Sequence, residues 1–347
     1  MSFSPANKEQ ITSKLDQIVR DLKLANPGIE LTTPRAKAML IASYLRTNNL
    51  TGIEPTQEYH SLKHNYLGFA LSDPNHNSLP LISAVIYCFI ARRLGLSAHP
   101  CGFPFHVHVI ILPPLGTDMD GNVLGNGVRG EPMYMDPFRS EGETTISDLR
   151  SQLNFLGVTN TEQASFLGES STEDIVLRCG KNILHSIQRM SWFPNMQLEP
   201  VDMSSARYAA LWSSMLLTRF HLAMDTWRHL ELLVDVIANE FPSDFHFIEK
   251  YISIFPNYRI VIQQSNIRDK LQGMQAADET PRRERRRIPG REDVLYRVGQ
   301  VFQHRRYGYT AVIFGWDAKC GANKQWMRTM GVDRLRGGSH QGFYHAL

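Results

Sequence analysis

Apolar positions in the first part of the chain recur at helical spacing. Ile11, Leu15, Ile18, Val19 and Leu22 share one helical face. Thr33 before Pro34 pairs a capping residue with a proline at the first helical position, and predicts a second helix to about Thr47. EYHSLKHNYLGFAL, 58–71, predicts a third, and SDPNHNS, 72–78, a polar turn. From Leu79 to about Gly95 the residues are apolar on nearly every side, so that helix belongs in the middle of its domain, with Gly95 marking its end.

The texture then changes. HVHVIIL alternates like a strand, and EPMYMD, 131–136, is a second strand candidate across the glycine-rich connection PPLGTDMDGNVLGNGVRG. Helical spacing returns over 146–156, 172–190, 203–219, 221–240 and 244–255. Thr145 with Asp148, and Ser171 with Asp174, predict capping boxes. ADETPRRERRRIPGRED, 277–293, reads as a charged linker, and YRVGQVFQHRRYGYTAVIFGWD after it reads as short β-strands around turns. The division expected is a core with a helical extension over 1–275, a linker over 276–292 and a small β domain over 293–347.

Composition narrows the function classes. The 347 residues are 42% hydrophobic and 20% charged, which suits a globular protein with ample core. A net charge of +3 forces neither a nucleic-acid nor a membrane partner. Cys88, Cys101, Cys179 and Cys320 form no CxxC pair, as expected of a reduced cytoplasmic or nuclear setting. MSFSPANKEQ lacks the apolar stretch of a signal peptide. LPLISAVIYCFIA, 79–91, ends at Arg92-Arg93, short of the roughly 20 residues a bilayer span needs, so no membrane is expected.

Candidate chemistry gathers at His106 and His108. On a strand they share a face about 7 Å apart, and zinc would want a third ligand such as Cys101 or Asp136. Nothing in the spacing selects either, so packing is the reading and neither metal nor cofactor is expected. DMDGN has the outline of a calcium loop, but Val123 stands at its glycine position and Arg129 at its closing glutamate. Nucleophilic catalysis is the sharper idea: a cysteine at a helix start, a histidine to take its proton and an aspartate to orient that histidine. The chain offers a helix from 79, then His106, then Asp136, in that order.

HNYLGFAL, NSLPLISAVIYCFIARRLGL, HPCGFPFHVHVI and YMDPF, within 58–138, resemble the transglutaminase-like core of the bacterial SirB family and of the F-box proteins that carry it. The resemblance implies an α+β, papain-like core, mostly helical with a small antiparallel sheet. It puts the family's histidine at His106 and its aspartate at Asp136. Counting back from Gly95, the nucleophile position falls on Pro80, which has no heteroatom to attack with but does fix a first helical turn. Cys88 lies eight residues further on, about 12 Å along the helix axis. Ser78 reads as the helix cap. A pseudo-enzyme is therefore expected, with Asn65, His106, His108 and Asp136 lining a binding groove. The alternative is a thiol-dependent acyl transferase or hydrolase acting through Cys101.

From Asp293 to Leu347 the chain is similar to the YccV or HspQ family, associated with hemimethylated DNA, through YRVGQVFQHRRYGYTAVIFGWD, QWM and DRLRGGSHQGFYHAL. That implies a small SH3-like β-barrel. HQGFYHAL reads as mid-strand, so the last strand or strands are expected to be missing. Arg305, Arg306, Tyr307, Trp316 and Trp326 form its candidate contact surface, with further charge from Arg328, Arg334 and Arg336. No base-reading set is apparent, so DNA is a weaker expectation than a peptide or protein. PRRERRR reads as a solvated linker rather than an import signal. The two parts in this order resemble a family of eukaryotic F-box proteins, although no F-box is found here and a piece cut at both ends is expected. The resemblance implies a non-catalytic substrate-recognition module of an F-box-type ubiquitin ligase. Its partners would be protein clients, and a Skp-type adaptor only if an F-box stands upstream.

Overall fold

The computed structural model describes residues 8–54, 59–125, 127–192, 201–218, 224–252, 266–280, 294–305, 308–322 and 324–347. The chain divides into two units, one ending at Ala277 and the other running from Asp278 to Leu347.

In the first unit, α1 (Lys8–Ala25) buries Leu15, Val19 and Leu22, the face its spacing predicts. α2 (Pro34–Thr47) begins as expected: the Thr33 hydroxyl accepts the Ala36 N–H at 3.3 Å, and Pro34 costs no hydrogen bond at the first position. The helix expected over 58–71 is broken. A 3₁₀ turn, Leu62–Asn65, is followed by extended Tyr66 (φ −119°, ψ 121°) and the single turn α3 (Leu67–Ala70). The His64 carbonyl accepts the Leu79 N–H instead of a helical partner, which ties this stretch to the next helix.

That helix, α4 (Pro80–Arg93), is the centre of the unit. Ten of its fourteen residues are buried, so its all-round apolar sequence matches an all-round protein environment. Gly95 closes it at φ +81°. Leu96 N–H reaches the Ala91 carbonyl at 3.0 Å and Gly95 N–H the Arg92 carbonyl at 3.1 Å, a Schellman ending. Ser78 is not the cap: Leu79 holds that position without a side-chain bond, and the Ser78 hydroxyl pairs with Ser83 Oγ at 2.7 Å.

Against α4 lies an antiparallel sheet of β1 (Ser97–Pro100), β2 (Val109–Leu112), β3 (Met133–Met135) and β4 (Glu143–Thr144), in that order. Val109, Ile111, Met133 and Met135 join the core with Leu22, Ile41, Ile86 and Ile90. On the other face Ile110 and Tyr134 pack with Cys101, Phe103, Leu149, Leu153 and Leu167, the last three from α5 (Ile146–Phe155) and α6 (Asn160–Leu167). β2 is thus covered on both sides, which is why VIIL does not alternate.

The predicted capping box opens α7 (Thr172–Trp192): Asp174 N–H donates to Ser171 Oγ at 3.1 Å, while Ser171 N–H and hydroxyl donate to Asp174 Oδ2. Thr145 Oγ1 likewise accepts Asp148 N–H at 3.1 Å before α5. Ile183 and Ile187 of α7 pack with Leu62 and with Ala206 and Ala210 of α8 (Met203–Leu217). α8 shares a second core with α9 (Met224–Glu240) and α10 (Asn266–Glu279) through Leu211, Met215, Leu230, Val234 and Ile267. In place of the helix expected over 244–255 there is a 3₁₀ turn, Pro242–Asp244, and one π turn, Ile248–Ile252; residues 253–255 lie outside the described residues. α10 extends into the stretch expected as linker, and 281–293 also lie outside the described residues. No helix among the described residues is long and apolar enough to cross a membrane.

The second unit holds β5 (Val301–Gln303), β6 (Thr310–Asp317), the short helix α11 (Lys324–Thr329) and β7 (Phe343–Ala346), in the antiparallel order β5-β6-β7. The expected barrel is not closed. Among the described residues β5 and β7 each pair only with β6, and closure requires every strand to have two neighbours. The buried apolar residues are few, Val294, Ala311, Ile313 and Val332, while Val301 and Phe314 stay exposed.

Candidate functional site

Between β1 and β2 the chain makes an excursion that carries the histidines. Its base is tied by Cys101 N–H to the His108 carbonyl at 2.8 Å, and Gly102 N–H reaches Gly168 at 3.0 Å. A Cβ at Gly102 would lie 3.0 Å from the Ser165 carbonyl, so any other residue would need the loop or α6 to give by a few tenths of an ångström. At the tip Phe105 has φ +62°, with His106 N–H bonded to the Pro104 carbonyl at 2.7 Å, a tight γ-turn that a bulky residue rarely adopts. His106 and His108 are therefore not on a strand. Pro104 has no N–H to give a ladder, and β2 starts only at Val109.

The turn aims His106 at Asp136, which directly follows β3. His106 Nε2 and Asp136 Oδ2 are 2.8 Å apart. Asp136 Oδ1 accepts the N–H groups of Phe138 and Arg139, each at 3.2 Å, and so shapes its own turn. The Phe138 carbonyl is held in turn by Arg46 Nη1 at 3.0 Å. Burial pushes the Asp136 carboxyl up, but the hydrogen bond and charge of His106, with the nearby His108, hold it below its ordinary value. The carboxylate is thus ionised and accepts from His106 Nε2–H. His106 also meets Phe138 and His108 edge to face, with ring centres at 5.9 and 5.0 Å.

His108 is packed rather than poised. It is buried against Phe103, and burial first, then the charge of His106, pushes its pKa down to about 4. Asn65 is buried too; its Nδ2 donates to the Leu62 carbonyl and to Ser186 Oγ, and it lines neither cleft described below.

Two clefts meet at Tyr59 and Phe105. The smaller, about 200 Å³, is floored by Leu79, Pro80 and Leu81 at the start of α4 and walled by Arg178, Asn182, His185 and Ser186 of α7. The larger, about 540 Å³, has His106 and Arg139 on one side and Phe155 and Leu156 on the other. Phe105 and Phe155 are 88% and 91% exposed, an uncommon state for phenylalanine.

The core thiols and the Ser78–Ser83 pair are buried or engaged elsewhere. Pro80 occupies the first position of α4 at the cleft floor. Cys101 is fully buried, its Sγ donates to the Phe166 carbonyl at 3.1 Å, and burial pushes its pKa up to about 11. Burial likewise raises Cys88 to about 12 and Cys179 to about 11. Ser78 and Ser83 bond to each other inside the core. Asp118, in the DMDGN loop, uses both oxygens on Asp120 and Asn122. No group of three or more His, Cys, Asp or Glu side chains among the described residues is arranged to hold a metal ion.

Sequence reading missed Tyr59, Phe105, Arg139, Arg178, Asn182 and His185. Its one available signal was the helical spacing of Arg178, Asn182 and His185 on an otherwise amphipathic helix. In the second unit, Arg305, Arg328, Arg334 and Arg336 are exposed, Trp326 is half exposed on α11, and Trp316 sits in β6 opposite Tyr344. Arg306 and Tyr307 lie outside the described residues.

Comparison with known proteins follows the same division. Residues 9–181 match the model of the transglutaminase-like superfamily, and 294–347 that of the hemimethylated DNA-binding protein YccV-like family. F-box only protein 21 of mouse is 24% identical over 272 residues, and that of the orangutan Pongo abelii 26% over 274. Each alignment covers 78% of this chain but only 41% and 40% of the relative, so the chain spans about two fifths of the curated relatives it matches. No solved structure matches the chain at a significant level. The chain therefore carries a transglutaminase-like core followed by a C-terminal YccV-like domain, and over 78% of its length it is similar to F-box only protein 21.

Proposed function

We propose that this chain is the substrate-recognition part of an F-box-type ubiquitin ligase, with its transglutaminase-like core acting as a docking module rather than a catalyst. The observation that carries the reading is Pro80 at the helix start, the position to which the family resemblance assigns the nucleophile, in a chain that has an intact His106–Asp136 pair. A base and its orienting carboxylate without an attacking atom cannot begin acyl transfer. What remains is a shaped cleft with exposed aromatic side chains, which suits binding. The name of the relatives supports the ligase setting. Protein clients are the partners, a Skp-type adaptor joins only through an F-box upstream, and the compartment is cytoplasmic or nuclear.

Thiol labelling tests this. An iodoacetamide probe at pH 7 is expected to leave Cys101 unmodified in the native chain while labelling it after denaturation. Stoichiometric native labelling of Cys101 that disappears in His106→Ala would instead establish the thiol enzyme.

A nucleic-acid reading draws on the family description matched by 294–347 and on the exposed Arg305, Arg328, Arg334 and Arg336. It requires duplex binding that weakens steeply with salt, in proportion to the phosphates contacted. Absent or salt-insensitive binding removes it and leaves the second unit as a protein contact.

A further inference from the structure

The small cleft beside Pro80 has a charge that its own walls do not balance. Arg178, Asn182 and His185 project from one face of α7, at i, i+4 and i+7. Arg178 is half-buried, and burial is the leading influence on it, acting against its charge. Among the described residues no carboxylate forms an ion pair with it and no hydrogen bond engages its guanidinium or the Asn182 amide. The nearest acid along the helix, Asp174, is one turn away and has its Oδ2 taken by Ser171. Beyond the α7 residues, His60 is the other basic residue of the lining, which is otherwise aromatic and apolar. His60 lies with its ring centre 6.3 Å from that of His185, and burial, then Arg189, then His185 push its pKa down. Ser186 is buried at the back wall and accepts from Asn65 Nδ2, so its own hydroxyl hydrogen is left to turn to the cleft. The partial positive charge at the start of α4 has the same sign.

A half-buried guanidinium facing a cleft, with amide and hydroxyl donors and no acid paired to it, is what an oxyanion needs. Arg178 brings one fixed positive charge to the cleft, which one monoanion balances. The cleft of about 200 Å³ has room for a carboxylate and the carbons that carry it, and Tyr59 and Phe105 lead from it directly into the larger, more apolar cleft. We infer that this cleft is a carboxylate pocket, in which Arg178 pairs with a side-chain or chain-terminal carboxylate of a docked peptide whose neighbouring residues lie across Tyr59 and Phe105. The inference rests on the docking reading of the core and adds the chemistry of what docks.

Three probes separate the sources when titrated onto the full chain by calorimetry. N-acetylphenylalanine carries a terminal carboxylate, N-acetylaspartate α-amide a side-chain carboxylate, and N-acetylphenylalanine amide neither. At least one carboxylate is expected to bind ten-fold or more tightly than the neutral amide, and which one does so identifies the source. Arg178→Met is expected to abolish that preference and Arg178→Lys to retain part of it, with thermal melting confirming that both variants fold. Equal binding of all three probes, no carboxylate binding up to 10 mM (about the weak end of useful ligand affinity), a preference unchanged in Arg178→Met, or tighter binding of inorganic phosphate than of either carboxylate overturns the pocket. None of those results touches the docking reading, which stands or falls on the labelling of Cys101.

Discussion

The two sides of the site have been treated differently. The sheet side keeps a full arrangement of acid and base: His106 held on Asp136 at 2.8 Å, Asp136 held by two backbone N–H groups, and the following loop held by Arg46. The helix side keeps the position, at the first turn of α4 beside the cleft, but fills it with Pro80. A proline there is good helix chemistry and no reaction chemistry. The His106–Asp136 contact and the two N–H groups on Asp136 tie the Phe105 loop to the turn after β3.

If the pair is structural, removing it should cost stability before anything else. Asp136→Ala leaves His106 without its acceptor and two backbone N–H groups without a cap. The expected loss is about 3 kcal/mol in urea unfolding at pH 7, with about half of that for Asp136→Asn. A loss below about 0.5 kcal/mol would mean the pair is not what orders the loop.

His108 separates packing from poise. Its pKa is pushed down to about 4 in the folded chain, against about 6.5 unfolded, so between those values the unfolded chain binds the extra proton. Its contribution is fully present above about pH 6.5 and is lost as pH falls toward 4, a change of about 2–3 kcal/mol. In His108→Leu that part of the pH dependence should vanish. An unaltered acid profile would place the proton uptake elsewhere.

The Phe105 turn gives a smaller effect of opposite sign. Phe105→Gly removes an aromatic side chain from a positive-φ position and is expected to raise stability by about 1 kcal/mol, the strain relieved less the entropy that glycine adds to the unfolded chain. The same change should weaken binding of a carboxylate probe that carries a phenyl ring. Stability that falls instead would show that the exposed ring is packed in solution.

What could be read from the sequence depended on how local its cause was. Thr33-Pro34, Gly95 and the Ser171–Asp174 box act within one turn of chain, and each did what its type requires. The 58–71 helix failed because Tyr66 is extended and the His64 carbonyl is taken by Leu79, fifteen residues away in sequence. The histidine strand failed for a local reason that was present but weak, the missing N–H of Pro104. β1, SAHP, has no strand-like pattern and exists because β2 supplies its partners. The pairing of His106 with Asp136 came from family resemblance, not from spacing, since 30 residues separate them. For Arg178 the sequence offered only its helical spacing with Asn182 and His185; which groups surround it depends on the fold. In the second unit the strands were readable and the closure was not, because closure depends on edge partners rather than on any strand's own residues.

Reinstalling the absent atom tests the central claim most directly. In Pro80→Cys the introduced thiol starts α4 at the floor of the small cleft, where the helix end favours the thiolate and where the family resemblance would have His106 take its proton. Its alkylation by iodoacetamide at pH 7 is expected to be at least ten-fold faster than that of any native cysteine, and to fall back when His106→Ala is added, with the fold of both variants confirmed by circular dichroism. A thiol no more reactive than Cys320, or one indifferent to His106, would contradict the account, since the pair would then never have been aimed at that position.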